Sequence, residues 1–97
     1  MFARVTTVDV QPSSADQVSS IYQSSIVPDI KAAQGNLGAY LLVDRATGHG
    51  LSITFWDDPA NAQAYESSGT YRAQVAKVAQ FFTSSPSLAS YEVTAHT

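Results

Sequence analysis

The sequence predicts an α+β fold with the element order β-α-β-β-α-β, on three observations. Two apolar runs, 37–44 and 51–56, flank the turn RATGHG, which reads as a β-hairpin. A long segment, 14–34, carries apolar residues at three- and four-residue steps, the period of a helix. The run LSITFW then stops at Trp56 against Asp57-Asp58-Pro59, a helix start.

Each element follows in order. Residues 2–10, FARVTTVDV, are rich in β-branched types and end at Gln11-Pro12, so they read as a strand. Phe2, Arg4, Thr6, Val8 and Val10 share one face. Ala3, Val5, Thr7 and Asp9 share the other, and a strand apolar on both faces fits a sheet covered on both sides. In the helix over 14–34, Ser13 and Ser14 are candidate N-caps, with Asp16 placed as in a capping box. Val18, Ile21, Tyr22, Ile26, Ile30 and Ala33 form its apolar stripe. Pro28 predicts a bend near Ser24–Val27, and Gly35-Asn36 ends the helix. After the hairpin, Asp58 caps a short helix to about Ser67, with Pro59 at its first position. Ser68-Gly69-Thr70 breaks it. A further helix covers roughly 71–82, with Tyr71, Val75, Val78 and Phe82 on one face. After a Ser/Pro loop, 88–96 reads as the last strand. This order is the ferredoxin-like arrangement, a four-stranded, mostly antiparallel sheet with its helices on one face. The other face is left bare, yet strands 2 and 3 carry apolar residues on it. A second copy of the sheet is the simplest cover, so a homodimer through that face is expected.

Composition narrows the function. Ninety-seven residues make one domain, 1–97. Hydrophobic residues are 44% of the chain and charged ones 13%, about half the usual share of roughly 25%. The five basic residues are scattered, so neither nucleic acid nor a membrane surface is an expected partner. Cysteine is absent, which excludes disulfides, thiolate nucleophiles and cysteine-ligated metal. His49 and His96 have no metal-site spacing with nearby carboxylates. No Gly-x-Ser-x-Gly elbow and no phosphate loop is present. No secretory leader opens the chain and no run approaches 18 apolar residues, so a soluble, cytoplasmic protein is expected.

The run GAYLLVDRATGHGLSITFWDDPANAQAYESSGTYR, residues 38–72, resembles the antibiotic-biosynthesis-monooxygenase-like domains of the dimeric α/β-barrel superfamily. The matching features are a strand ending Leu-Val-Asp, a glycine-bearing hairpin, a strand ending in Trp, an acidic helix start and a Ser-Gly-x-Tyr-Arg break. Pro28 and the link 35–38 also look like that family. The resemblance implies a pocket between sheet and helices, lined by the strand-end tryptophan, here Trp56. Family members pair it with an asparagine of the first strand and, in haem degraders, with a helix histidine that binds iron. Here Arg4 and Thr6 stand in the first-strand region, and Tyr65 and Tyr71 replace any histidine. Haem degradation is therefore not expected, and no cofactor is called for.

Within that resemblance the candidate catalytic residues are Trp56, Tyr65 and Arg4. Trp56 would stack on a flat ring or simply fill the core. Arg4 would hold an oxyanion, or pair with Asp9, Asp44 or Glu92 as a structural ion pair. Tyr22, Tyr40, Tyr71 and Phe82 are the candidate substrate-binding residues: the three phenols both pack and hydrogen-bond, and Phe82 lies on the apolar face of the last helix. The expected activity is cofactor-independent monooxygenation of an aromatic, polyketide-type molecule. The alternative is a non-catalytic ligand-binding or accessory protein of the same fold.

Overall fold

The computed structural model describes residues 1–97. Four strands form one sheet in the order β2-β3-β1-β4: β1 is Phe2–Asp9, β2 Asn36–Val43, β3 His49–Trp56 and β4 Ser87–Glu92. All three pairings are antiparallel, which is the ferredoxin-like topology. Residues 88–96 had suggested a longer final strand, but β4 stops at Glu92 and is exposed throughout. No helix is long and apolar enough to cross a membrane.

The first helical segment is more divided than one bent helix. It opens with a 3-10 turn at Pro12–Ser14 and continues as α1, Ala15–Ile21. No serine side chain caps it, so the expected capping box does not form: the proline-led turn already occupies that position. A π turn follows over Tyr22–Ile26, and then α2, Val27–Ala32. The cause is Pro28. It lacks an N–H and its ring crowds the carbonyl four residues back, and a wider turn relieves both. Val10, Val18, Tyr22, Ile26, Ile30 and Val78 form the buried cluster against which this segment packs.

Two glycines fix the connections that matter for the site. Gly35, at φ +80°, has no room for a side chain: a Cβ would lie 2.3 Å from the Asp57 carboxylate. Its carbonyl accepts from the Asp57 N–H at 2.9 Å, tying the end of α2 to the end of β3 beside Trp56. Gly48, also at φ +80°, turns the hairpin against β1, where a Cβ would meet the Val10 carbonyl at 1.8 Å.

Helix α3 spans Pro59–Glu66, and Asp58 caps it by accepting from the Ala60 N–H at 2.7 Å. Ser68 breaks the chain and caps α4, Gly69–Val78, by accepting from the Tyr71 N–H. Helix α4 ends earlier than the apolar stripe implies. Ala79–Phe81 form a 3-10 turn, and Phe82 leaves it in extended conformation to bridge Val10.

Candidate functional site

The helices do not close fully on the sheet. A cavity of about 100 Å³ lies between them. An engineered apolar cavity of roughly 150 Å³ takes up benzene, so this space suits a body of about one ring. Alternation along the strands decides which side chains reach it. β1 contributes Arg4, Thr6 and Val8; β3 contributes Ser52, Thr54 and Trp56. The π turn and its flanks supply Val18, Tyr22, Ile26 and Ile30. Tyr65 and Glu66 come from α3, and Tyr71, Gln74, Val75 and Val78 from α4. Leu41, Phe82 and Leu88 complete the wall.

One end of the cavity is aromatic. Trp56 is only 1% exposed, so it is core and wall at once. Its indole N–H donates to Thr54 Oγ1 at 2.9 Å. Tyr65 covers part of its ring, with centroids 5.3 Å apart at 35°, and Tyr71 meets Tyr65 edge-on at 5.6 Å. Tyr22 shares a hydrogen bond with Ser52 at 3.0 Å. Burial pushes the phenols of Tyr22, Tyr65 and Tyr71 above their ordinary value, so all three stay protonated at neutral pH. They can position a ligand but cannot act as tyrosinate bases.

The polar corner holds Arg4, Glu66, Tyr65 and Gln74. Arg4 Nη1 lies 2.9 Å from Glu66 Oε1, with the two side chains 17% and 16% exposed. The contact is a charge pair without hydrogen-bond alignment, and Oε1 has no hydrogen-bond partner. Burial raises the Glu66 carboxyl above its ordinary value, and the Arg4 charge partly offsets that. The Tyr65 hydroxyl donates to Gln74 Oε1. Gln74 is 3% exposed, and its Nε2 has no partner.

The structure thus gathers Arg4, Tyr22, Trp56, Tyr65, Tyr71 and Phe82 around one space. Tyr40 is the correction. It stands on the opposite face of the sheet, 62% exposed, edge-on to Phe55 with centroids 6.1 Å apart. A bulge between Asn36 and Gly38 shifts the register there, and the pairing that follows turns Leu41, not Tyr40, toward the helices. Arg4 also pairs elsewhere than the strand carboxylates suggested. Asp9 is held by His49 at 2.8 Å, and Asp44 accepts from the Ala46 N–H in the hairpin. Glu92 is exposed at the end of β4. Glu66 and Gln74 were missed altogether. Gln74 lies three residues after Tyr71 and four before Val78, so the α4 stripe contained it.

The sequence pattern of the antibiotic biosynthesis monooxygenase family matches residues 1–77, from β1 through nearly all of α4. The chain belongs to that family. Both the aromatic end and the polar corner fall within the matched residues. The family fold is seen again in solved structures. A crystal structure of an antibiotic biosynthesis monooxygenase superposes with a TM-score of 0.79 at 18% identity, over 98% of this chain and 100% of that one. A Nitrosomonas europaea protein of unknown function gives 0.79 at 19% identity, over 99% and 91%. A conserved Methanosarcina mazei protein gives 0.79 at 10%, over 93% and 89%. Two uncharacterized Mycobacterium tuberculosis proteins share 32% identity over 57 residues, 59% of this chain and 24% of theirs. The chain therefore spans about a quarter of the length of these curated relatives.

Proposed function

We propose that this family member takes a small, flat, oxygenated aromatic molecule between sheet and helices and oxygenates it without a cofactor. The observation that carries the reading is the apolar cavity with one polar corner, where an ion pair, a half-buried phenol and a buried amide meet. An electron-rich phenol or enol can react with O₂ itself once it is deprotonated and held. In a ring bearing an activated methylene, one oxygen atom becomes a carbonyl and the other leaves as water. Glu66 is the group able to take the acidic proton, because burial moves its carboxyl toward neutrality. Arg4 offsets the charge that develops, and Trp56 and Tyr65 orient the ring. A second copy covers the apolar outer face, giving a soluble, cytoplasmic homodimer.

Oxygen uptake with single-ring, hydroquinone-like substrates tests this. Turnover above the spontaneous rate is expected, with Trp56→Phe and Tyr65→Phe both slower. Uptake at the spontaneous rate, with binding retained, favours a ligand-binding or accessory protein. The prior pairing of Arg4 with Glu66 is the observation on that side.

A further inference from the structure

We infer that the cavity takes its ligand as an aromatic anion together with a proton, the anion held by Arg4 and Tyr71 and the proton by Glu66. The inference rests on the proposed reading that the cavity receives an aromatic ring. Arg4 and Glu66 are the only charged side chains in the cavity wall. Their contact at 2.9 Å leaves the wall without net charge while Glu66 is ionised. The wall also has donors to spare. Arg4 makes no aligned hydrogen bond, even to Glu66. Tyr22 is bonded to Ser52 and Tyr65 to Gln74, which leaves Tyr71 as the phenol of the wall whose hydroxyl has no partner. The only unpaired side-chain atoms shut off completely are Gln74 Nε2 and Glu66 Oε1, so the guanidinium and the Tyr71 hydroxyl stay open to an incoming group. The Tyr71 phenol feels both the Glu66 and the Arg4 charge, so it belongs to the same corner. A guanidinium only donates, and a protonated phenol beside it offers its proton. Together they select a carboxylate or phenolate oxygen.

The proton follows from the charge balance. An anion entering beside the neutral pair brings an uncompensated charge into an apolar space, which is costly. Protonating Glu66 removes that charge and frees Arg4 for the newcomer, so the filled cavity is neutral again. Glu66 suits this role, because burial already lifts its carboxyl above the ordinary value and only Arg4 opposes the lift. The groups around it do not compete for the proton. Tyr71 from α4 and Tyr65 from its own helix stay protonated, Gln74 is neutral, and Lys77 faces Asp29 outside the wall. The proposed substrate reaches the same state from the other side, since a neutral phenol gives its own proton to Glu66.

Benzoate and benzamide, matched in size and different in charge, separate these steps. Calorimetric titrations of the native protein between about pH 6 and about pH 8, where benzoate is ionised, give the affinities. Repeating them in two buffers of different ionisation enthalpy counts the protons. Benzoate should take up a proton on binding and weaken about tenfold per pH unit where Glu66 is ionised in the free protein. Benzamide should take up none and keep its affinity. Glu66→Gln should bind benzoate with no pH dependence, and Arg4→Met should bind benzamide but not benzoate. Benzoate bound without proton uptake overturns the inference, as does a pH dependence that survives in Glu66→Gln. The native-protein titrations decide the matter even if the variants do not fold. If benzamide binds and benzoate does not, the aromatic-cavity reading stands and this inference falls. If neither ring binds, the reading falls and this inference with it.

Discussion

The two faces of the sheet are built against expectation. On β1 and β3 the helix-covered face carries Arg4, Thr6, Ser52 and Thr54 between Val8 and Trp56, while the middle of the open face carries Val5, Leu51, Ile53 and Phe55, with Thr7, Asp9 and His49 toward one end. A face that only supported a core would be the apolar one. Here the covered face keeps its polarity because it bounds a cavity. The open face keeps its apolarity, with Tyr40, Leu42 and Tyr91 all exposed on it. Polarity on this sheet thus marks the face that bounds the cavity, and bare hydrocarbon marks the face that the proposed second copy would cover.

The strongest way to break that contrast is to truncate one aromatic on each face. Trp56→Ala should lower stability by about 3–5 kcal/mol, because a fully buried indole leaves a cavity behind. Tyr40→Ala on an isolated chain should stay within about 0.5 kcal/mol. Thermal melts of the two variants give the comparison. A loss at Tyr40 that rivals Trp56 and grows with protein concentration would show the open face already covered.

A second prediction concerns assembly. Ile53→Asp places a charge in the middle of the open face, opposite Tyr40 and Val5. The native protein should show a mass twice 10.3 kDa in native mass spectrometry, and the variant 10.3 kDa. A native mass of 10.3 kDa would leave the open face without its proposed partner.

The smallest effect is a difference in pH response. The folded state holds the Glu66 proton more tightly than the unfolded chain does. Its contribution is therefore fully present below about the ordinary 4.5 and is lost as pH rises through the raised folded value. Asp9, on the opposite face, behaves in the reverse sense. Its hydrogen bond to His49 holds the carboxyl below 3.8, so its contribution is present above 3.8 and lost as pH falls through the lowered value. Melting temperature against pH should rise for Glu66→Gln relative to native protein as pH increases. For Asp9→Asn it should converge on the native curve in acid. A Glu66→Gln curve parallel to the native one would sink the assignment of Glu66 as a desolvated acid.

The element order, the hairpin and the Asp58 cap were legible because each depends on neighbours in the chain. Tyr40 was misplaced because a phenol's chemistry does not say which face of the strand it takes, and alternation puts it opposite Ile53 on the open face. The partner of Arg4 was missed because Glu66 lies 62 residues away on a helix, and only the packed fold brings the two together. Gln74 was missed because a glutamine on a helix ordinarily faces water. Its place on the Tyr71–Val78 stripe was the available clue.

The π turn at Tyr22–Ile26 has a consequence for sequence comparison. In a regular α-helix, twelve residues from Val18 to Ile30 would leave the two about 120° apart around the axis. Eleven residues would leave them within about 20°. The turn therefore behaves as a single inserted residue whose surplus is absorbed on the spot. Homologous chains one residue shorter between positions 22 and 26 should keep both ends of this wall facing the cavity. The gap in their alignment belongs there, and a chain with that gap and no proline at position 28 should run through as unbroken α-helix.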